Sequence, residues 1–121
     1  GQLTHVISSH TSSPISRRNL KSRNQHLSAL KNHVAKLDSP TIIIGDFNTV
    51  PWDENMITLK EDAHLIDSRK SYTSTFPSYL GYAGIPIDYI LHTEEITCTK
   101  FKSIPIEGSD HMGIIGEYVI N

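Results

Sequence analysis

Early in the chain, one helix-periodic segment sits between two short runs of β-branched residues. No other feature narrows the folds open to this sequence as much. Residues 3–9 (LTHVISS) predict a strand, and His10-Thr11-Ser12-Ser13-Pro14 ends it in a polar turn with a proline stop. Leu20, Leu27, Leu30, Val34 and Leu37 then follow at gaps of seven, three, four and three, which fit one helical face. Ser16 or Asn19 is placed to cap the start, and Asp38-Ser39-Pro40 closes the end. The basic residues are expected largely on the other face. Residues 41–44 (TIII) form a continuous apolar run, as expected of a strand covered on both faces. Strand, helix, strand is a crossover unit, and such units favour a right-handed turn between neighbouring strands.

The remaining pattern supplies strands to extend that unit. A short helix is expected from Pro51 and Asp53 to about Lys60. Residues 68–84, rich in Ser, Tyr, Thr, Gly and Pro, read mostly as loop. Residues 85–91, 96–104 and 112–120 read as three further strands, with turns at Thr93-Glu94 and Glu107-Gly108-Ser109. At 121 residues the chain is long enough for one domain with its own core. No stretch approaches the roughly 18 apolar residues of a membrane span. The single cysteine, Cys98, excludes an internal disulfide and a Cys-rich zinc site. The chain begins at Gly1, so the natural protein is expected to be longer.

Charge is distributed unevenly. Residues 1–37 hold no Asp or Glu and carry Arg17, Arg18, Lys21, Arg23, Lys31 and Lys36, while all 13 acidic residues lie beyond them. This is either a solvated helix face balanced elsewhere or a basic flank beside an acidic site. A net charge of −2, with no aromatic residues along the basic segment, argues against a module that binds nucleic acid through that helix.

Three carboxylates, Asp46, Asp88 and Asp110, fall at or next to strand ends, where sheet scaffolds usually present their chemistry. Asp46 and Asn48 follow the TIII strand two residues apart. The carboxylate can hold a water and the amide can donate to a phosphoryl oxygen, although Gly45, Asp46 and Asn48 also suit an ordinary turn. Asp88 interrupts an apolar run (IPIDYIL) and needs a partner if buried, for which a histidine is well suited. Asp110 and His111 are adjacent, and a carboxylate partner would raise the imidazole pKa and fix its tautomer. His10 lies at a strand exit, where it is either a turn residue or part of a site. His5, His26, His33, His64 and His92 read as structural or surface residues, and the spacing of His26 and His33 does not suit a helical zinc pair. There is no nucleophile elbow and no phosphate loop.

Taken in order, His10 with Pro14, the basic helix, Ile-Ile-Gly45-Asp46-Phe47-Asn48, Ile87-Asp88-Tyr89-Ile90-Leu91 and Ser109-Asp110-His111 resemble the endonuclease/exonuclease/phosphatase superfamily, which has the DNase I-like fold. The resemblance spans about Thr4 to Val119. Thr75-Phe76-Pro77 followed by Ile85-Pro86-Ile87-Asp88 resembles bacterial branches, some of them membrane-anchored. A family domain is about twice this length, so the resemblance implies that residues 1–121 are its C-terminal half. The expected fold class is α/β (α+β): half of a four-layer sandwich, with one mostly antiparallel mixed sheet and a long helix on one face. The implied activity is metal-dependent phosphoesterase hydrolysis by activated water.

The resemblance also assigns roles. Asp46 orients or deprotonates the water, and Asn48 holds a phosphoryl oxygen. Asp88 orients His111 beside the phosphate, and His10 is a second histidine or phosphate contact. Asp110 and Asp46 are metal-site carboxylates. The implied cofactor is Mg²⁺ or Mn²⁺, bound only with the first half, which supplies a glutamate; here no Glu precedes Glu54. Little turnover is therefore expected of this chain alone. The alternative is a non-catalytic module that dimerises through an uncovered sheet face. The implied partners are a phosphate-ester substrate and either a second copy or the missing half. The compartment stays open between a bacterial cytoplasm and, if an anchor precedes Gly1, the cell envelope.

Overall fold

The computed structural model describes residues 2–121. Strand β1 (His5–His10), helix α1 (Arg17–Val34) and strand β2 (Thr41–Asp46) form the expected crossover, with β1 and β2 parallel and in register from His5↔Thr41 to His10↔Asp46. Ser16 is the cap: its Oγ accepts from the Asn19 N–H at 3.1 Å, satisfying one of the free amides of the first turn. Helix α2 (Glu54–Asp62) is capped by Asp53, and the two-residue strand β3 (Ile66–Asp67) follows. Strand β4 (Asp88–His92) runs antiparallel to β2, from Ile42↔His92 to Asp46↔Asp88, and β3 pairs on its other edge. The sheet order is β1-β2-β4-β3.

One face of this sheet packs on the helices. Leu27, Leu30 and Val34 of α1 and Met56 and Leu59 of α2 form a core with Ile43, Phe47, Tyr89 and Leu91. The helix stripe differs from the expected one at its start: Leu20 is exposed, and Arg23 is buried in line with Leu27, Leu30 and Val34. Two of the basic side chains are balanced by α2 and its cap, through Arg23–Asp53 at 3.0 Å and Lys31–Asp62 at 3.5 Å.

The strands divide between two sheets rather than forming one. Strands β5 (Ile96–Ile104) and β6 (Gly113–Ile120) make a separate antiparallel pair. β2 and β3 occupy both edges of β4, so the hairpin cannot pair with β4 through its backbone and meets it through side chains. Tyr118 does this, with its hydroxyl 2.6 Å from Ser68 Oγ and its ring edge-on to His92. The strand expected over 85–91 begins only at Asp88. Pro86 has no N–H to donate, and Ile85 instead bridges to Phe76. The loop expected over 68–84 contains a short 3-10 turn at Ser78–Ala83.

Candidate active site

Strand register alone aligns three of the polar candidates. His10, Asp46 and Asp88 are successive partners across β1, β2 and β4, so their side chains leave the same end of the sheet on the same face. Gly45 permits this close pairing, because a Cβ there would lie 1.7 Å from the Ser9 carbonyl oxygen. Asn48 adopts the left-handed region at φ 46°, and its N–H donates to Asp46 Oδ1 at 2.9 Å. The turn and the functional arrangement at Gly45-Asp46-Phe47-Asn48 are therefore one structure. The turn occupies Oδ1 and leaves Oδ2 to face the histidines.

His111 enters from the loop before β6. Its Nδ1 donates to Asp88 Oδ2 at 2.8 Å, and its Nε2 lies 3.7 Å from Asp46 Oδ2. His10 Nε2 approaches the same Asp46 oxygen to 3.6 Å from a largely exposed position. The Asn48 amide donates to the Thr11 carbonyl at 2.8 Å, tying the β1 exit to the β2 exit and leaving its second N–H uncommitted. An open cavity of about 570 Å³ is lined by His10, Asp46, Asn48 and His111, together with Thr11, Ser12, Ser13 and Phe76.

Asp110 behaves differently from its neighbour. It is exposed, its backbone oxygen accepts from the Ser78 N–H at 2.7 Å, and it lies outside the Asp46, Asp88 and His111 cluster whose ligand atoms fall within 4.8 Å of one another. Its charge still reaches His111. Among the residues missed as site members, Phe76 stacks on the His111 ring at 4.8 Å. Thr75 Oγ1 accepts from the Asp88 N–H at 3.2 Å, while the Thr75 carbonyl accepts from Met112 N–H at 2.8 Å. One buried threonine thus ties the Asp88 strand to the segment carrying His111.

These contacts set the proton affinities. Burial opposes the charged form of His111, but the hydrogen bond and charge of Asp88, with Asp46 and Asp110, outweigh it and raise the imidazole above its ordinary 6.5. For Asp46, burial is the largest influence and pushes the carboxyl up. The Asn48 N–H pulls it back, Asp88 adds to the rise, and the two histidines oppose it. The outcome is a more basic carboxylate facing an imidazole that holds its proton to higher pH.

The donor set fits a hard cation only in part. Asp88 Oδ2 and His111 Nδ1 are bound to each other, which leaves Asp46 Oδ2 and the second Asp88 oxygen as the carboxylate atoms of the cluster able to serve a cation. One or two carboxylates suit Mg²⁺, which keeps several waters and takes its other oxygens from substrate or neighbouring groups.

A carboxylate, an amide and an Asp-oriented imidazole thus meet around one open cavity at the end of the sheet. The chain matches the Endonuclease/Exonuclease/phosphatase family over residues 3–111 and belongs to it. Members of that family are phosphoesterase hydrolases and are generally metal-dependent. Among solved structures, the chain is similar to a functionally unknown conserved protein from Enterococcus faecalis V583, with TM-score 0.78, 23% identity, and 96% of this chain and 50% of that one covered. A second is the endonuclease/exonuclease/phosphatase from Beutenbergia cavernae, with TM-score 0.76, 22% identity, and 95% and 36% covered. A third is a mannosyl-6-phosphatase from Bacteroides thetaiotaomicron, with TM-score 0.67, 18% identity, and 95% and 51% covered. The chain therefore spans about half the length of these proteins, or less. No curated protein matches it.

Proposed function

We propose that residues 1–121 form the C-terminal half of a metal-dependent phosphoesterase site, which hydrolyses a phosphate monoester or diester by activated water. The observation that carries this reading is the Asp88–His111 pair at 2.8 Å, with His111 Nε2 and Asp46 Oδ2 converging on one cavity. Asp46 Oδ2 accepts a proton from the attacking water, whose oxygen bonds to phosphorus as the bond to the leaving oxygen breaks. The Asn48 amide donates to a phosphoryl oxygen. Protonated His111, held by Asp88, neutralises charge that builds on the phosphoryl group, and His10 contacts the phosphate from the cavity rim. A divalent cation held through water by Asp46 and Asp110 would supply Lewis acidity at the phosphoryl oxygen. DNA, RNA, inositol phosphate, lipid pyrophosphate and sphingolipid all suit these residues as substrate classes.

Release of inorganic phosphate from monoesters, and of the alcohol leaving group from diesters, with Mg²⁺ or Mn²⁺ tests the proposal, using this chain and the complete gene product in parallel. Turnover is expected from the complete product and little from the chain alone. Asp46→Ala and His111→Ala should each lower turnover of the active form by about a hundredfold or more. Wild-type rates in both variants would overturn the assignment.

A second reading is favoured by one specific feature. The sheet face opposite the helices exposes Val6 (67%), Ile44 (39%) and Ile66 (47%), and an apolar stripe of this kind seeks cover. In this reading the chain is an interaction module that pairs through that face, with a second copy or with further sequence of its own protein. Sedimentation of the chain at low micromolar concentration tests the self-paired form of this reading, which a monomer would rule out.

A further inference from the structure

Two buried arginines stand behind the site, and the proposed chemistry uses neither. On α1, the Arg23 side chain is 6% exposed. Its Nη1 donates to the Asn48 carbonyl at 3.2 Å and its Nη2 to Asp53 Oδ2 at 3.0 Å. Just after β3, the Arg69 side chain is also 6% exposed. Its Nη1 donates to the Asp88 carbonyl at 2.8 Å and its Nε to Asp67 Oδ2 at 3.3 Å, and its guanidinium lies 4.3 Å from the Tyr89 ring centroid. The plan is the same in both places. A guanidinium, compensated by an Asp outside the cavity, grips the backbone oxygen of a residue whose side chain enters the site.

Packing does not account for this arrangement. A buried ion pair is often no more stabilising than apolar side chains of similar volume, and Arg23 occupies a position in line with Leu27, Leu30 and Val34, where a leucine would fill the stripe. The Arg69 Nη2 is buried without a hydrogen-bond partner, a further cost to stability. What the guanidiniums provide is geometry, since their fork fixes two directions at once. Asn48 needs that support. Its φ of 46° is a left-handed region that non-glycine residues enter sparingly, Asn more readily than most, so its backbone gains from a hold outside the turn. Asp88 needs it because it orients His111 from the first residue of its strand.

We propose that Arg23 and Arg69 are positioning residues: Arg23 aims Asn48, and Arg69 aims Asp88 and through it the His111 ring. The proposal rests on the phosphoesterase reading for its purpose, but its test does not use turnover, so the two fail separately. Nuclear magnetic resonance on the intact chain supplies two local reporters. One is the exchange rate of the Asn48 amide, which is bonded to Asp46; the other is the low-field proton on His111 Nδ1, which is bonded to Asp88.

Arg23→Lys keeps the charge and loses the fork. It should speed Asn48 exchange by about tenfold relative to core amides of β2 and β4, the scale of one lost charge-assisted hydrogen bond, and leave the His111 proton in place. Arg69→Lys should do the reverse, moving or broadening the His111 proton and sparing Asn48. Asp53→Asn and Asp67→Asn free the same guanidiniums from their far ends. They should move the same reporters by a smaller factor, and they decide the matter if a lysine variant does not fold. A common acceleration of every amide, or reporters that stay still in all four variants, would show that the arginines only hold the fold together.

Discussion

The two faces of the central sheet are made from the same kind of strand and do opposite work. On one face Ile43, Tyr89 and Leu91 are fully covered and pack in one core with residues of α1 and α2. On the other, Val6 and Ile44 are exposed, and the register that exposes them brings His10, Asp46 and Asp88 together at one end. Because side chains alternate across a strand, each residue that builds the core is followed by one that faces the site side. In β1 and β2, folding and chemistry therefore separate by parity, whereas β4 is buried on both faces, with Ile90 and His92 covered on the site side and Tyr118 of β6 against His92. Substitutions on the helix face of β1 and β2 should cost stability, while those on their other face should cost function or partner binding.

The largest expected effect is at the point where the two faces meet. Gly45→Ala would set a methyl 1.7 Å from the Ser9 oxygen, and β1 must move from β2 to admit it. A loss of about 4 kcal/mol is expected in urea unfolding, with the mechanism that of overpacking against backbone. An alanine tolerated here would mean that β1 and β2 are not held in this register, and the alignment of His10 with Asp46 would go with it.

Much of this was visible in the sequence, for physical reasons that also explain what was not. The crossover announces itself because helical and strand periods differ and each segment keeps its own. Asp46, Asn48, Asp88 and His111 stand out because each is a polar residue at the edge of an apolar run, where burial demands a partner. Arg23 is hidden by its own chemistry: the gap of seven between Leu20 and Leu27 contains the real stripe position, but a cation there reads as solvent-facing. Arg69 sits in a Ser- and Lys-containing segment that resembles any polar loop. The two-residue β3 is too short to carry a period, and without it nothing indicates that β5 and β6 must form their own sheet. Asp110 and His111 are adjacent in a loop, and spacing cannot say which of the two turns inward.

A second test compares neighbours in one strand. Ile43→Ala, at a fully buried position, should cost about 3 kcal/mol through lost burial and the cavity it leaves. Ile44→Thr keeps the β-branch and should cost about 1 kcal/mol or less. Equal losses in chemical denaturation would break the division between the faces and place a hidden partner on the open one.

Smaller still is a pH effect confined to the polar end, because His111 is only part-buried and its pairing is screened. The folded state holds the imidazole proton more tightly than the unfolded chain. Its stabilisation is thus complete below the ordinary 6.5 and disappears as pH rises through the higher folded value. Melting temperature should fall across that window, and Asp88→Asn should flatten the fall by removing the negative charge that favours the imidazolium. Asp46 has the same sign but acts from its ordinary 3.8 upward, in the acid range, so titrating from neutral pH isolates the histidine. An unchanged slope in Asp88→Asn would mean that the Asp88–His111 bond is not formed in solution.

The smallest effect is expected at Val6. Its side chain is 67% exposed, opposite Ile42 on the outer strand, and Val6→Thr changes neither shape nor strand propensity by much. In the free chain, stability should move by less than about 0.5 kcal/mol. The result should also be independent of protein concentration, since nothing then lies against the face. A stability loss that grows with protein concentration would reveal a second copy burying Val6, because only an interface links folding to mass action. The outer face would then be a core shared between molecules, and the difference between the two faces would lie in when each is covered rather than whether.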